Sequence, residues 1–171
     1  AAQAPANVPD NAPARIHPLP TLREQAVEQQ AWLEQRMNRV LPELMAEYDV
    51  DMWILSMREY AEDPVFWSIT SPTTFAARRR SIYVFTRQED GAIERLALGG
   101  TAQGGVFTAF RSIRPAPTEE TMELVGNEQW RLLRELVEDR DPGNIVLNID
   151  PDWAFSDGLH TGEYEALTDA L

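Results

Sequence analysis

Asp157, His160 and Glu163 follow one another at intervals of three, and all three are side-chain types that hold divalent cations. That chemistry needs ligands converging on one point, whereas helical positions six apart are rotated well away from each other. Asp157 is better read as the cap of a following helix, where its charge opposes the helix dipole. The other histidine, His17, lies in a proline-rich stretch and is expected to be exposed.

Ser56 follows the apolar run Met52-Trp53-Ile54-Leu55, a strand-end position where α/β proteins often place functional groups. A nucleophilic serine needs a base within hydrogen-bond reach, and with two histidines in 171 residues plain strand termination is the better reading. Glu59, Glu62 and Asp63 stand beside Tyr60, Phe66 and Trp67, a combination suited to receiving a cationic or amine group. The competing reading is an ordinary solvated loop over an aromatic core. Gly99-Gly100-Thr101-Ala102-Gln103-Gly104-Gly105 suggests an anion cradle, but the Gly-Lys-Ser/Thr ending and the following helix are missing. It is expected to be a flexible connection between strands.

Composition narrows the classes. The chain has no cysteine, which excludes disulfides, thiolate nucleophiles and cysteine metal sites within it. A formal net charge of -13 repels phosphate backbones, and the single dense basic run, Arg78-Arg79-Arg80, leads straight into an apparent strand. It is read as a solvated strand entrance or a set of internal ion pairs, and no nucleic-acid partner is expected. With 43% hydrophobic residues but no apolar run near the roughly 20 residues a bilayer requires, a soluble globular domain without membrane insertion is expected. The opening Ala1-Ala2-Gln3-Ala4-Pro5 is like the small-residue sequence that follows a signal-peptidase cut, so a periplasmic or secreted mature protein is expected, with a cytoplasmic location as the alternative.

The elements that must position these groups can be read in order. Residues 1–20, with Pro5, Pro9, Pro13, Pro18 and Pro20, form an arm. Residues 21–171 form the folded domain. Thr21 and Glu24 have capping-box spacing, and Leu33, Met37, Val40, Leu41, Leu44, Met45 and Tyr48 mark one helical stripe, with a kink or restart at Pro42. Met52–Leu55 reads as a buried strand. Strands follow at about 80–87 and 93–98, joined across Asp90-Gly91, and another near 106–111. A helix over 127–139 turns Trp130, Leu133, Leu136 and Val137 inward and stops at Asp141-Pro142-Gly143, before a buried strand at 145–147. Ser156 or Asp157 caps a last helix through Tyr164 and Leu167. Trp53 and Trp130 read as core, Trp67 and Trp153 as interface residues. The final Leu167-Thr168-Asp169-Ala170-Leu171 lacks a Gly or Pro stop, which suggests that the chain continues beyond it.

The long first helix, the junction Asp49-Val50-Asp51-Met52-Trp53-Ile54-Leu55-Ser56, the hairpin from Ser81-Ile82-Tyr83-Val84-Phe85, and the closing Phe155-Ser156-Asp157-Gly158-Leu159 with Gly162-Glu163-Tyr164 resemble, over about residues 22–171, the N-terminal domain of the creatinase, prolidase and aminopeptidase P family. The resemblance implies a ribonuclease-H-like α/β domain, a mixed β-sheet with helices on both faces. It also implies a following catalytic domain, absent from this chain, in which a divalent metal pair (Mn, Co or Zn) cleaves bonds preceding proline. No catalytic residue or metal ligand is assigned here. The implied roles are docking to that C-terminal domain, homodimer contacts and narrowing of substrate access, with Arg58, Glu59, Tyr60, Phe66 and Trp67 as the gating or interface wall. Met57-Arg58-Glu59-Tyr60 departs from the Asn-centred sequence associated with many members at that point, which leaves the substrate open. The alternatives are a stand-alone binding domain without a peptidase partner and, disfavoured by charge, a ribonuclease-H-like nuclease.

Overall fold

A computed structural model describes residues 18–110 and 127–171. The expectations for His17, for most of the arm and for Arg111 lie outside the described residues. The first helix begins at Leu22, where Thr21 and Glu24 bond reciprocally: Glu24 Oε2 accepts from the Thr21 amide at 2.7 Å, and Thr21 Oγ1 accepts from the Glu24 amide at 3.3 Å. The restart expected at Pro42 is present: α1 (Leu22–Gln35) passes through a π-helical turn (Arg36–Val40) into α2 (Leu41–Glu47), whose first turn holds Pro42. The wider turn explains why the buried side chains are Leu33, Met37, Leu41 and Met45, four apart each time, because a pure 3.6-residue helix would rotate that series off one face. Val40, Leu44 and Tyr48, expected on the same stripe, are consequently exposed.

The sheet runs in the order β4-β3-β2-β1-β5. β1 (Met52–Arg58), β2 (Arg80–Arg87) and β3 (Ile93–Leu98) form an antiparallel meander, while β5 (Ile145–Leu147) lies parallel to β1 and β4 (Thr108–Phe110) parallel to β3. The β2–β3 turn falls where Asp90-Gly91 places it, with Gly91 at φ 82° and the Asp90 carboxylate accepting from the Ala92 amide. β1 does not stop at Leu55; Ser56, Met57 and Arg58 extend it. β5, expected to be buried, is an edge strand with Val146 facing solvent.

Both faces of the sheet are covered. Leu55, Met57, Tyr83 and Phe85 pack beneath the first helix together with α3 (Phe66–Ile69), and Met52, Ile54, Ile82 and Val84 pack beneath α4 (Asn127–Arg140) and α5 (Thr161–Ala170). Alternation along β1 thus sends odd and even positions into two different cores, which is why its sequence reads as continuously apolar. The fold is α/β with a mixed five-stranded sheet. Among the described residues no helix is long and apolar enough to cross a membrane.

Candidate functional site at one end of the sheet

β1 and β5 are parallel, so their carboxyl ends lie together, and the segments leaving them carry the buried polar side chains of Asp63, Asn148 and Glu163. Two clusters form there.

The first is built on register. Arg58 and Arg80 are cross-strand partners, a like-charge pair that repels unless something sits between them. Glu163, from the first turn of α5, supplies that charge: its carboxylate takes Arg80 Nε at 2.9 Å and Arg80 Nη2 at 3.2 Å, and approaches Arg58 Nε at 3.2 Å. Ser56 Oγ, one β-repeat inward on the same face, donates to Glu163 Oε2 at 2.8 Å. Glu163 is 1% exposed, and the Arg80 guanidinium carbon stacks 4.6 Å from the Trp130 ring centre. Arg80 accordingly belongs to an internal ion pair. Glu163 is turned away from Asp157 and His160, so the three do not converge. Among the described residues no group of three His, Asp or Glu side chains is placed to share a metal ion. Nor does Asp157 cap α5: the N-cap position is His160, and the Asp157 carboxylate instead accepts from the Asp150 amide at 3.3 Å. Ser56 has Glu163 rather than a histidine as its partner.

The second cluster fixes the loop after β1. Asn148, the residue following β5, donates Nδ2 to both carboxylate oxygens of Asp63, at 3.1 and 2.9 Å, while its own Oδ1 accepts from Trp53 Nε1 at 2.8 Å. Asp63 also accepts from the Val65 amide at 2.9 Å. At 1% exposure, its burial raises its pKa above the ordinary Asp value of 3.8, against the lowering effect of the Val65 amide, Asn148 and the nearby His160. Gly158 closes over it, because a Cβ at that position would lie 2.0 Å from Asp63 Oδ2. Glu62 is likewise spent on the loop, its Oε1 accepting from the Ala77 amide at 3.1 Å. The acidic patch expected from Glu59, Glu62 and Asp63 is therefore dispersed, and of the three only Glu59 is exposed.

The loop so pinned presents a chemically distinct rim. Tyr60 is 93% exposed and held at φ 67°, a backbone region that non-glycine residues rarely occupy. Trp67 is 56% exposed, resting edge-on against Phe66 at 4.9 Å between ring centres. Phe66 itself is 1% exposed, so it supports Trp67 from within the core and does not line the rim. Arg58 is half exposed and Glu59 exposed. Trp153 and Phe155, between β5 and α5, add exposed aromatic surface, and a cleft of about 590 Å³ lies against Ile149, Leu159, His160 and Tyr164. The division of tryptophans expected from sequence holds: Trp53 stacks on Phe85 at 5.0 Å and Trp130 is buried, while Trp67 and Trp153 face solvent.

No family model, curated protein or solved structure matches this chain.

Proposed function

We propose that the chain is the non-catalytic N-terminal domain of a Xaa-Pro metallopeptidase of the creatinase and prolidase kind, with a ribonuclease-H-like sheet. In this reading it contributes oligomer contacts and narrows the approach to an active site built elsewhere. The order of elements supports it: a long helix, an antiparallel β1–β2–β3 meander, then β5 returning parallel to β1. The carrying observation is the rim after β1, where Tyr60 and Trp67 are presented to solvent by a loop that Glu62 and Asp63 hold in place. A strained, exposed tyrosine that serves no packing role suits a surface that acts on something outside the domain.

Catalysis in this reading belongs to a divalent metal pair (Mn, Co or Zn) in a following domain, and the partner surfaces are that domain and a second copy of the protein. Gating has a kinetic signature. In the metal-loaded peptidase containing this domain, Tyr60→Ala and Trp67→Ala should change KM for an Xaa-Pro peptide severalfold while leaving kcat within about twofold, because they alter access and not chemistry. Equal losses in kcat and kcat/KM would move these residues into the reaction itself, and no change in either would remove the gating role.

A further inference from the structure

The glycine-rich connection after β3 forms the edge of a pocket of about 370 Å³, at the small end of the usual 300–1,000 Å³ for ligand sites. Its depth is set by Gln103, which is buried in a 3₁₀ turn (Gln103–Gly105). Gln103 Oε1 accepts from the Ser71 amide and from Thr74 Oγ1, each at 2.8 Å, which fixes the orientation of the amide. Nε2 must then face Tyr83, and it donates to the phenol oxygen at 3.1 Å.

This leaves the Tyr83 proton with no acceptor among the described residues, although the side chain is 2% exposed. Burial pushes the phenol pKa up to about 12, so it stays a donor at physiological pH. Ser81 repeats the arrangement: its buried Oγ accepts from the Arg78 amide at 3.2 Å, and its own proton also has no acceptor among the described residues. Two hydroxyls, each oriented by a hydrogen bond it receives, line the same pocket. Each oxygen already accepts one hydrogen bond, so each hydroxyl keeps its proton to give to an acceptor that enters the pocket. Among the described residues the lining contains no Asp or Glu, in a chain of net charge -13. Phe75, 87% exposed, stands at the rim as an apolar surface.

We propose that this pocket binds a small organic carboxylate, whose oxygens accept from Tyr83 and Ser81 and whose apolar end lies against Phe75. The site is separate from the rim at Tyr60 and Trp67 and does not depend on the peptidase reading.

The test is ligand-observed NMR on the 171-residue chain with phenylacetate and, as a neutral isostere, phenylacetamide. Saturable phenylacetate binding is expected, about tenfold tighter than that of the amide, because hydrogen bonds to a charged acceptor are the stronger ones. Tyr83→Phe and Ser81→Ala should each weaken phenylacetate about tenfold. Ser81→Ala leaves the Gln103 network untouched, so it remains informative if Tyr83→Phe disturbs the loop, as judged by circular dichroism. Absence of saturation, equal affinity for the amide, or unchanged affinity in Ser81→Ala would overturn the proposal.

Discussion

The Arg80 guanidinium holds both carboxylate oxygens of Glu163, at 2.9 and 3.2 Å, although 83 residues separate the two. This pairing attaches the start of α5 to the sheet and places a negative charge between the two cross-strand arginines. Removing one member of a buried pair leaves an uncompensated charge, at about 3–5 kcal/mol. Glu163→Gln should therefore lower unfolding stability by about 3 kcal/mol in urea titrations. Arg58, half exposed, should contribute less than about 1 kcal/mol when replaced by alanine. Equal effects for the two substitutions would contradict the asymmetry.

Asp63 gives a pH dependence of defined sign. Its folded pKa is raised, so the folded state holds its proton more tightly than the unfolded chain does. Its contribution to stability is greatest below the ordinary value of 3.8 and declines as pH rises from there through the raised folded value. Asp51 and Asp150 act oppositely: the Arg87 hydrogen bond lowers the first and the Asp152 and Trp153 amides lower the second. Their stabilisation is present above 3.8 and is lost as pH falls through their lowered values. Asp63→Asn should accordingly steepen the net gain of stability with rising pH just above 3.8, by removing the opposing contribution. A shallower profile in thermal melts across that window would contradict the assignment.

Gly158 is predicted to tolerate no side chain while Asp63 is present. Its missing Cβ would meet the Asp63 carboxylate, so Gly158→Ala should cost about 1–3 kcal/mol, as overpacking usually does. Combining it with Asp63→Ala should relieve most of that cost. A double-mutant cycle measures the coupling, and strict additivity would place the clash elsewhere.

Tyr60 tests the separation of stability from function. Glycine accepts φ 67° without the steric penalty tyrosine incurs, so Tyr60→Gly should leave the melting temperature unchanged or raised despite the loss of a large side chain. A fall of several degrees would show that the ring contributes to folding and would weaken its assignment as a surface that serves a partner or substrate.

Much of the scaffold was legible because local chemistry decides it. Thr21 and Glu24 cap a helix three residues apart, Asp90-Gly91 turns a hairpin, and Asp141 at φ 42° ends α4 where the helical pattern stops. The clusters at the sheet end were not legible, for a reason common to them. Asp63 and Asn148 are 85 residues apart, and each alone is an ordinary polar loop residue. Glu163 carries a charge type that is almost never fully buried, and its sequence neighbours Asp157 and His160 point to a metal series and not to the two arginines it meets across the fold. Gln129 gives no local signal either, yet it is buried with Nε2 donating to the Arg80 and Leu98 carbonyls, at 3.1 and 3.0 Å. Pro42 marks the restart of the helix as expected, while the π-helical turn before it was not expected, although the four-residue spacing of Leu33, Met37, Leu41 and Met45 already encodes it.

The most direct measurement is an Xaa-Pro cleavage assay on the native protein, captured from its source cells with an antibody against this domain. The account predicts a polypeptide more than twice the 19.4 kDa of this chain, with cleavage abolished by a chelator and restored by Mn²⁺ or Co²⁺. A captured polypeptide near 19.4 kDa without such cleavage would contradict it.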